Sequence, residues 1–152
     1  MYCLTSTAFK NNMRLITVVM GEPSSAIRSS ETAAMLDYGF NTYQMDMLLS
    51  KDKVLKKVKV SLGDKEYGEV VCKDDINILN SKVGDKREVT YKLEVDKVKA
   101  PIKVGDKVGE INVYEGNKII MTMDATMKND IKKASILKVF FRDFKDILFG
   151  NI

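Results

Sequence analysis

The chain predicts an α+β fold: one early helix, a run of short strands through the middle, and an amphipathic helix at the end. Three observations carry this reading. Two apolar runs of strand length, residues 3–9 and 13–20, flank Lys10-Asn11-Asn12. Apolar residues then recur at helical spacing over residues 25–43. Between residues 54 and 124, six more strand-length pieces alternate with Gly-Asp and Gly-Asn turns.

The first two runs form a hairpin, because the asparagines between them tolerate positive φ. Gly21-Glu22-Pro23 ends the second strand. In the helix that follows, Ala33, Leu36, Phe40 and Tyr43 fall on one stripe that asks to be buried. Gly39 costs about 1 kcal/mol there relative to alanine, so close packing is expected at that point. Residues 45–53 read as a connection. Strands are expected at 54–62, 69–72, 76–79, 87–98, 108–114 and 119–124. Gly63-Asp64, Gly84-Asp85, Gly105-Asp106 and Glu115-Gly116-Asn117 supply the turns. In residues 89–95, Val89, Tyr91, Leu93 and Val95 share a face. Short strands with regular turns suggest a small all-β sandwich over residues 51–126. From Met127 onward the period becomes helical. Leu137, Phe140, Phe141, Phe144, Ile147 and Leu148 line one face, and Lys138, Arg142, Asp143, Lys145 and Asp146 the other.

The 152 residues are 45 % apolar and 30 % charged, a globular composition. The net charge of +4 is unevenly placed. Residues 1–50 hold three Lys/Arg against four Asp/Glu, and the remainder 22 against 17. A basic second half suits an anionic surface. Interspersed acids and the lack of a dense Lys/Arg stripe argue for a membrane surface and for no nucleic acid. Histidine is absent, which excludes Ser-His-Asp and Cys-His catalysis and His-containing metal sites. Cys3 and Cys72, both in strand-like segments, cannot make a zinc site alone; buried free cysteines behave as small hydrophobes, and a disulfide between them stays open. No metal and no cofactor is expected. No apolar run approaches the roughly 20 residues that span a bilayer, and no signal peptide precedes Tyr2.

The first 43 residues are the most specific part of the chain. Tyr2-Cys3-Leu4-Thr5-Ser6-Thr7-Ala8 leads through Asn11-Asn12 to Met13-Arg14-Leu15-Ile16-Thr17-Val18-Val19-Met20-Gly21. Pro23-Ser24-Ser25-Ala26-Ile27-Arg28 then opens a helix that closes on Leu36-Asp37-Tyr38-Gly39-Phe40. This block resembles the D-alanyl-D-alanine carboxypeptidases, the low-molecular-mass penicillin-binding proteins that trim peptidoglycan stem peptides. The Lys-rich β region, with Ala100-Pro101-Ile102-Lys103-Val104-Gly105-Asp106-Lys107-Val108-Gly109, and the Phe-rich final helix follow in the same order as in that family.

The resemblance implies three parts. Residues 1–44 would be the last strands and helix of an antiparallel-sheet/helix catalytic domain, 51–126 a β-rich second domain, and 127–152 a membrane-associating helix. The chain would then begin inside a longer product, with the intact parent on the extracytoplasmic face of the membrane. The hairpin would present an unpaired edge, and a homodimer is one way of covering it.

The family's chemistry needs a Ser-x-x-Lys turn, a Ser-x-Asn loop and a Lys-Thr-Gly strand. Neither of the last two occurs here. Ser-x-x-Lys occurs as Ser50/Lys53 and Ser135/Lys138, both outside the family's catalytic position. The resemblance therefore implies a carboxypeptidase fragment without catalytic residues, its substrate a peptidoglycan stem peptide in the intact parent only. It also carries over one substrate-binding residue, Arg28, whose planar fork suits a terminal carboxylate. The bland reading of Arg28 is a solvated side chain or a partner for Glu31. A different class of function is a non-catalytic, membrane-associated β module that positions a partner at the cell envelope. A lipoyl-type carrier is disfavoured, because the hairpin tip Glu115-Gly116-Asn117 lacks a Met-Lys-Met.

Overall fold

The computed structural model describes residues 1–84, 86–136 and 140. The expected membrane-facing residues Leu137, Phe141, Phe144, Ile147 and Leu148 lie outside the described residues. In chain order the elements are β1 (Tyr2–Lys10), β2 (Met13–Glu22), α1 (Ser25–Thr42), β3 (Tyr43–Leu49), β4 (Lys56–Ser61) and β5 (Tyr67–Cys72). They continue with β6 (Ile76–Ser81), β7 (Val89–Val95), β8 (Val98–Lys99), β9 (Lys107–Glu115) and β10 (Lys118–Met127). The chain forms two compact units, Met1–Leu48 with Asn77–Arg87, and Leu49–Ile76 with the residues from Glu88 onward.

The first unit opens with the expected hairpin. Lys10 pairs with Met13, and Asn11 and Asn12 have φ of 50° and 62°, the two-residue turn whose twist matches the strands. Met13, Thr17 and Val19 are buried. Thr17 is satisfied by the Ser6 hydroxyl directly across the ladder, at 2.7 Å. A Cβ on Gly39 would collide with Leu15, so the close packing expected there is present. The buried line of α1 differs from the expected stripe. It runs through Thr32 and Gly39, while Ala33 and Tyr43 are exposed. A helix lying on a hairpin buries its smallest side chains where the approach is tightest, rather than its most apolar ones.

Two further differences come from long-range pairing. Residues 43–49, which fall largely in the expected connection, form β3, and β3 pairs with β6 as a two-stranded sheet. The segment Asn77–Arg87 thereby joins the first unit, although local pattern groups it with the later strands.

In the second unit the strand order is β7-β9-β10-β5-β4-β8. All neighbours are antiparallel except β4 and β8. Five of the six strands expected of the β domain are here as β4, β5, β7, β9 and β10, joined with the short β8 in one sheet, while the expected strand at 76–79 is β6 and pairs with β3 instead. β9 and β10 are linked through Gly116-Asn117, with Glu115 opposite Lys118. Val60, Val70, Ile111, Val113, Met127 and Ile131 are essentially inaccessible, each contributing up to about 1.5–3 kcal/mol. The common face of β7 holds for Val89, Leu93 and Val95, which are half-buried, but Tyr91 is exposed because β7 is an edge strand. Cys72 is buried and Cys3 exposed, both free, and burial pushes the Cys72 thiol above its usual range.

Residues 127–135 are not helical, contrary to the periodic reading from Met127. Met127 ends β10, with its N–H donating to the Asp106 carbonyl and its carbonyl accepting from Gly105. Lys128 N–H donates to the Glu69 carbonyl, and Ile131 bridges Ile102. These distant partners take the backbone groups that a helix would have paired locally.

Gly109 sits where β9 and β7 come closest. An added Cβ would meet the Glu94 carbonyl oxygen, and the Val95 Cα at 2.8 Å. Both are backbone atoms that no rotamer change can move. Gly109→Ala is expected to destabilise the second unit by about 1–3 kcal/mol, read as a lower urea midpoint of the β-sheet circular dichroism. An unshifted midpoint would contradict this account of the β7–β9 contact.

Candidate functional site

α1 starts at Ser24, whose extended backbone and hydroxyl cap the helix by accepting from Ile27 N–H at 3.2 Å. That start places Arg28 in the first turn. Its backbone N–H donates to the Ser24 carbonyl, and Nη2 donates to the Ser25 hydroxyl at 3.1 Å. Nε is buried without a hydrogen-bond acceptor, a position that costs about 1–3 kcal/mol if it stays empty. Among the described residues Arg28 forms no ion pair with Glu31 or any other carboxylate. The side chain is thus held at its base while part of its guanidinium lacks an acceptor.

Neither Ser-x-x-Lys match forms a nucleophile–base pair among the described residues. At Ser50 the hydroxyl accepts from Asp52 N–H at 3.4 Å, and Lys53 N–H donates to the Ser50 carbonyl. This is a backbone turn, with no bond from the serine hydroxyl to the lysine amine. Ser135 is described but Lys138 is not.

The other end of α1 carries a polar cluster that local sequence does not signal. Its last turn has no basic residue. The charge comes instead from Lys82 just past β6, whose N–H donates to the Thr42 carbonyl at 2.8 Å and whose Nζ donates to the Phe40 carbonyl at 2.6 Å. A cation there complements the negative end of the helix. Lys10 lies over the Phe40 ring, 6.0 Å from its centre. Beside them Asp46 accepts from Gln44 at 2.9 Å, Asn80 at 2.9 Å and Lys86 at 3.1 Å. The Asn80 side chain is buried and its carbonyl accepts from Arg87 N–H. These groups line or border a cavity of about 290 Å³. Its carboxylate is already engaged by three donors, so the cluster is suited to fixing β3 and β6. A second, apolar groove of about 450 Å³ runs between β2 and α1, past Leu15, Ile16, Met35 and Tyr38.

Of the expected site residues, Arg28 and Phe140 fall among the described ones. Phe140 is exposed, and the rest of its proposed face lies outside the described residues.

Hydrogen bonds from Asn80 and Lys86 hold the Asp46 carboxyl below its usual range. A depressed carboxylate contributes stability above its unfolded pKa, about 3.9, and that contribution is lost as pH falls through the lower folded value. Asp46→Asn is expected to lower the first unit's stability near neutral pH and to flatten its decline between about pH 4 and 2. Thermal unfolding at stepped pH measures both, and an unchanged acid slope would contradict the assignment.

With this geometry in hand, the chain was compared with known proteins. A family model described as penicillin-binding protein 5, C-terminal domain, matches residues 43–133. The D-alanyl-D-alanine carboxypeptidase DacF of Bacillus subtilis is 31 % identical over 146 residues, which is 95 % of this chain and 38 % of DacF. DacA of Haemophilus influenzae, another D-alanyl-D-alanine carboxypeptidase, is 30 % identical over 135 residues, 88 % of this chain and 34 % of its own. The solved penicillin binding protein 5 from Haemophilus influenzae superposes with a TM-score of 0.67 at 29 % identity, covering 87 % of this chain and 39 % of that one. A peptidoglycan synthesis regulatory factor (PBP3) from Streptococcus pneumoniae shares the fold, with a TM-score of 0.63 at 19 % identity over 86 % of this chain and 39 % of its own. The chain spans little more than a third of the length of these relatives. It belongs to the penicillin-binding protein 5 family of D-alanyl-D-alanine carboxypeptidases and carries that family's C-terminal domain.

Proposed function

We propose that this chain is the C-terminal part of a serine-type D-Ala-D-Ala carboxypeptidase, and that it is catalytically inert by itself. One observation carries the reading: the likeness to DacF runs through 95 % of the chain and so takes in both compact units, the hairpin and α1 as well as the β domain. In the intact parent, a serine would attack the carbonyl of the peptidyl D-Ala while a lysine takes its proton. The terminal D-Ala would leave, and water would hydrolyse the acyl-enzyme. The Ser-x-Asn and Lys-Thr-Gly elements that this requires are not among these 152 residues, and the Ser50 turn has the wrong geometry. The buried, acceptor-less Nε of Arg28 supports a role in holding the stem peptide's terminal carboxylate once the other walls of the cleft are present.

The residues from Ile136 onward form the second part of the proposal, an amphipathic helix lying in an anionic membrane surface on the extracytoplasmic side. Its expected apolar face is Leu137, Phe140, Phe141, Phe144, Ile147 and Leu148, with Lys and Arg around it. No helix among the described residues is long and apolar enough to cross a membrane. The free edges of the β1–β2 hairpin, with Ile16 and Met20 exposed at 69 % and 74 %, support self-association as a third part.

The purified chain is expected to release no D-Ala and to form no covalent adduct with a fluorescent penicillin. Stoichiometric, penicillin-competable labelling of any serine would sink the reading. Removing residues 136–152 should abolish co-sedimentation with anionic vesicles and leave the second unit folded, since Ile131 and Lys133 remain to bridge Ile102 and Gly63. A full chain that ignores such vesicles would show that the segment is no anchor.

A further inference from the structure

The second unit holds a concavity that nothing above uses. Tyr67, the first residue of β5, is 55 % exposed. It stands beside a cavity of about 240 Å³ that is also lined by Lys57, Lys65, Glu69 and Asn129, with Ile131 among the lining residues. The ladder fixes this grouping, because Lys57 on β4 lies opposite Glu69, and Lys59 opposite Tyr67. Among the described residues one carboxylate, Glu69, lines the cavity, and it is shared. Glu69 Oε1 is 3.8 Å from Lys57 Nζ, and Oε2 is 3.9 Å from Lys128 Nζ. Both distances exceed hydrogen-bond length, so these ammonium groups are only loosely compensated. Lys65 forms no ion pair among the described residues. An exposed tyrosine or an exposed lysine is unremarkable alone. Here one concavity brings together an aromatic ring, loosely held cations, an amide and one acceptor.

The geometry points to a binding site for an acidic glycan, a saccharide polymer that carries carboxylates. The apolar face of a sugar ring would lie on Tyr67. Its carboxylates would meet Lys57 and Lys65, and its hydroxyl and amide groups would meet Glu69 and Asn129. The cavity is smaller than the roughly 300–1,000 Å³ typical of clefts for drug-sized ligands, which suits one sugar unit of a polymer. The choice of peptidoglycan as that polymer rests on the carboxypeptidase reading. The site itself does not.

The test uses the full chain and purified, insoluble peptidoglycan sacculi, with polyglutamate as a separate probe. The parent chain should co-sediment with sacculi. Tyr67→Ala and Lys57→Ala/Lys65→Ala should each weaken this by about fivefold or more, and the lysine pair should also reduce its salt dependence. Tyr67→Phe, which keeps the ring, should bind as the parent does, and so should Lys97→Ala/Lys99→Ala, just before and within β8. Tyr67→Leu keeps apolar bulk on the strand and answers the case in which Tyr67→Ala fails to fold. It too should lose binding while retaining the parent's urea midpoint. The site is overturned if folded Tyr67→Leu binds sacculi unchanged, or if polyglutamate binds as tightly as sacculi regardless of residue 67. It is equally overturned if the Lys97/Lys99 pair matters as much as Lys57/Lys65. Penicillin labelling of the chain would defeat its reading as a catalytically inert part without touching these results, so the two failures are separable.

Discussion

The second unit depends on the short ladder between β5 and β10. Val70, Val71 and Cys72 pair with Met127, Thr126 and Ala125, and all six residues are buried. This contact joins the β9–β10 hairpin with its edge strand β7 to the β4–β5 hairpin with β8. Further backbone bonds extend it at both ends, from Lys73 N–H to the Asp124 carbonyl and from Lys128 N–H to the Glu69 carbonyl. The two halves are far apart in sequence, so closing this ladder costs chain entropy before any core forms. The return is the burial of Val70 and Met127 and of Ile131 beyond them. The surface ion pairs around Lys107, which bonds Glu110 at 2.7 Å and Asp124 at 2.8 Å, decorate that ladder. About half of the Lys107 side chain is in water, where such pairs contribute little.

The first unit relies on a different tie. Its hairpin and helix are local, but β3 is held by a strand that returns only after β4 and β5. Asp46, Asn80 and Lys82 mark where that return is fixed. Asn80 can be buried because its amide donates to Asp46 and its carbonyl accepts from Arg87. Lys82 completes the helix end that α1 itself leaves without a cation. The outer face of the unit is left apolar at Phe9, Ile16, Val18 and Met20. Such a surface is unusual for a free-standing monomer.

Function divides along the same lines. In the reading proposed above, Arg28 would act only together with further groups of an intact parent. The β unit has no such dependence. Its Tyr67 concavity and its basic strands offer a surface for a carboxylate-rich polymer, a role in recognition rather than in bond cleavage.

What the sequence by itself determined was everything written in short-range pattern. Lys10-Asn11-Asn12 specified one turn and Glu115-Gly116-Asn117 another, and the segment from Pro23 to Arg28 the opening of the helix. The order of carboxypeptidase-like block and Lys-rich strands specified the family. Gly39 announced close packing before any partner was known, though not that Leu15 would fill the space. Only the tertiary structure decided which strands are neighbours. It turned part of a supposed connection into β3, drew Asn77–Arg87 into the first unit, and kept residues 127–135 extended despite their helical period. It also decided that Thr32 and Gly39, rather than Ala33 and Tyr43, face the hairpin, and that Lys57, Lys65 and Tyr67 share one concavity. The physical reason is common to all of these. Turn and cap preferences are properties of a few adjacent residues, whereas a ladder partner, a buried line or a shared cavity is fixed by atoms that only the folded backbone brings together.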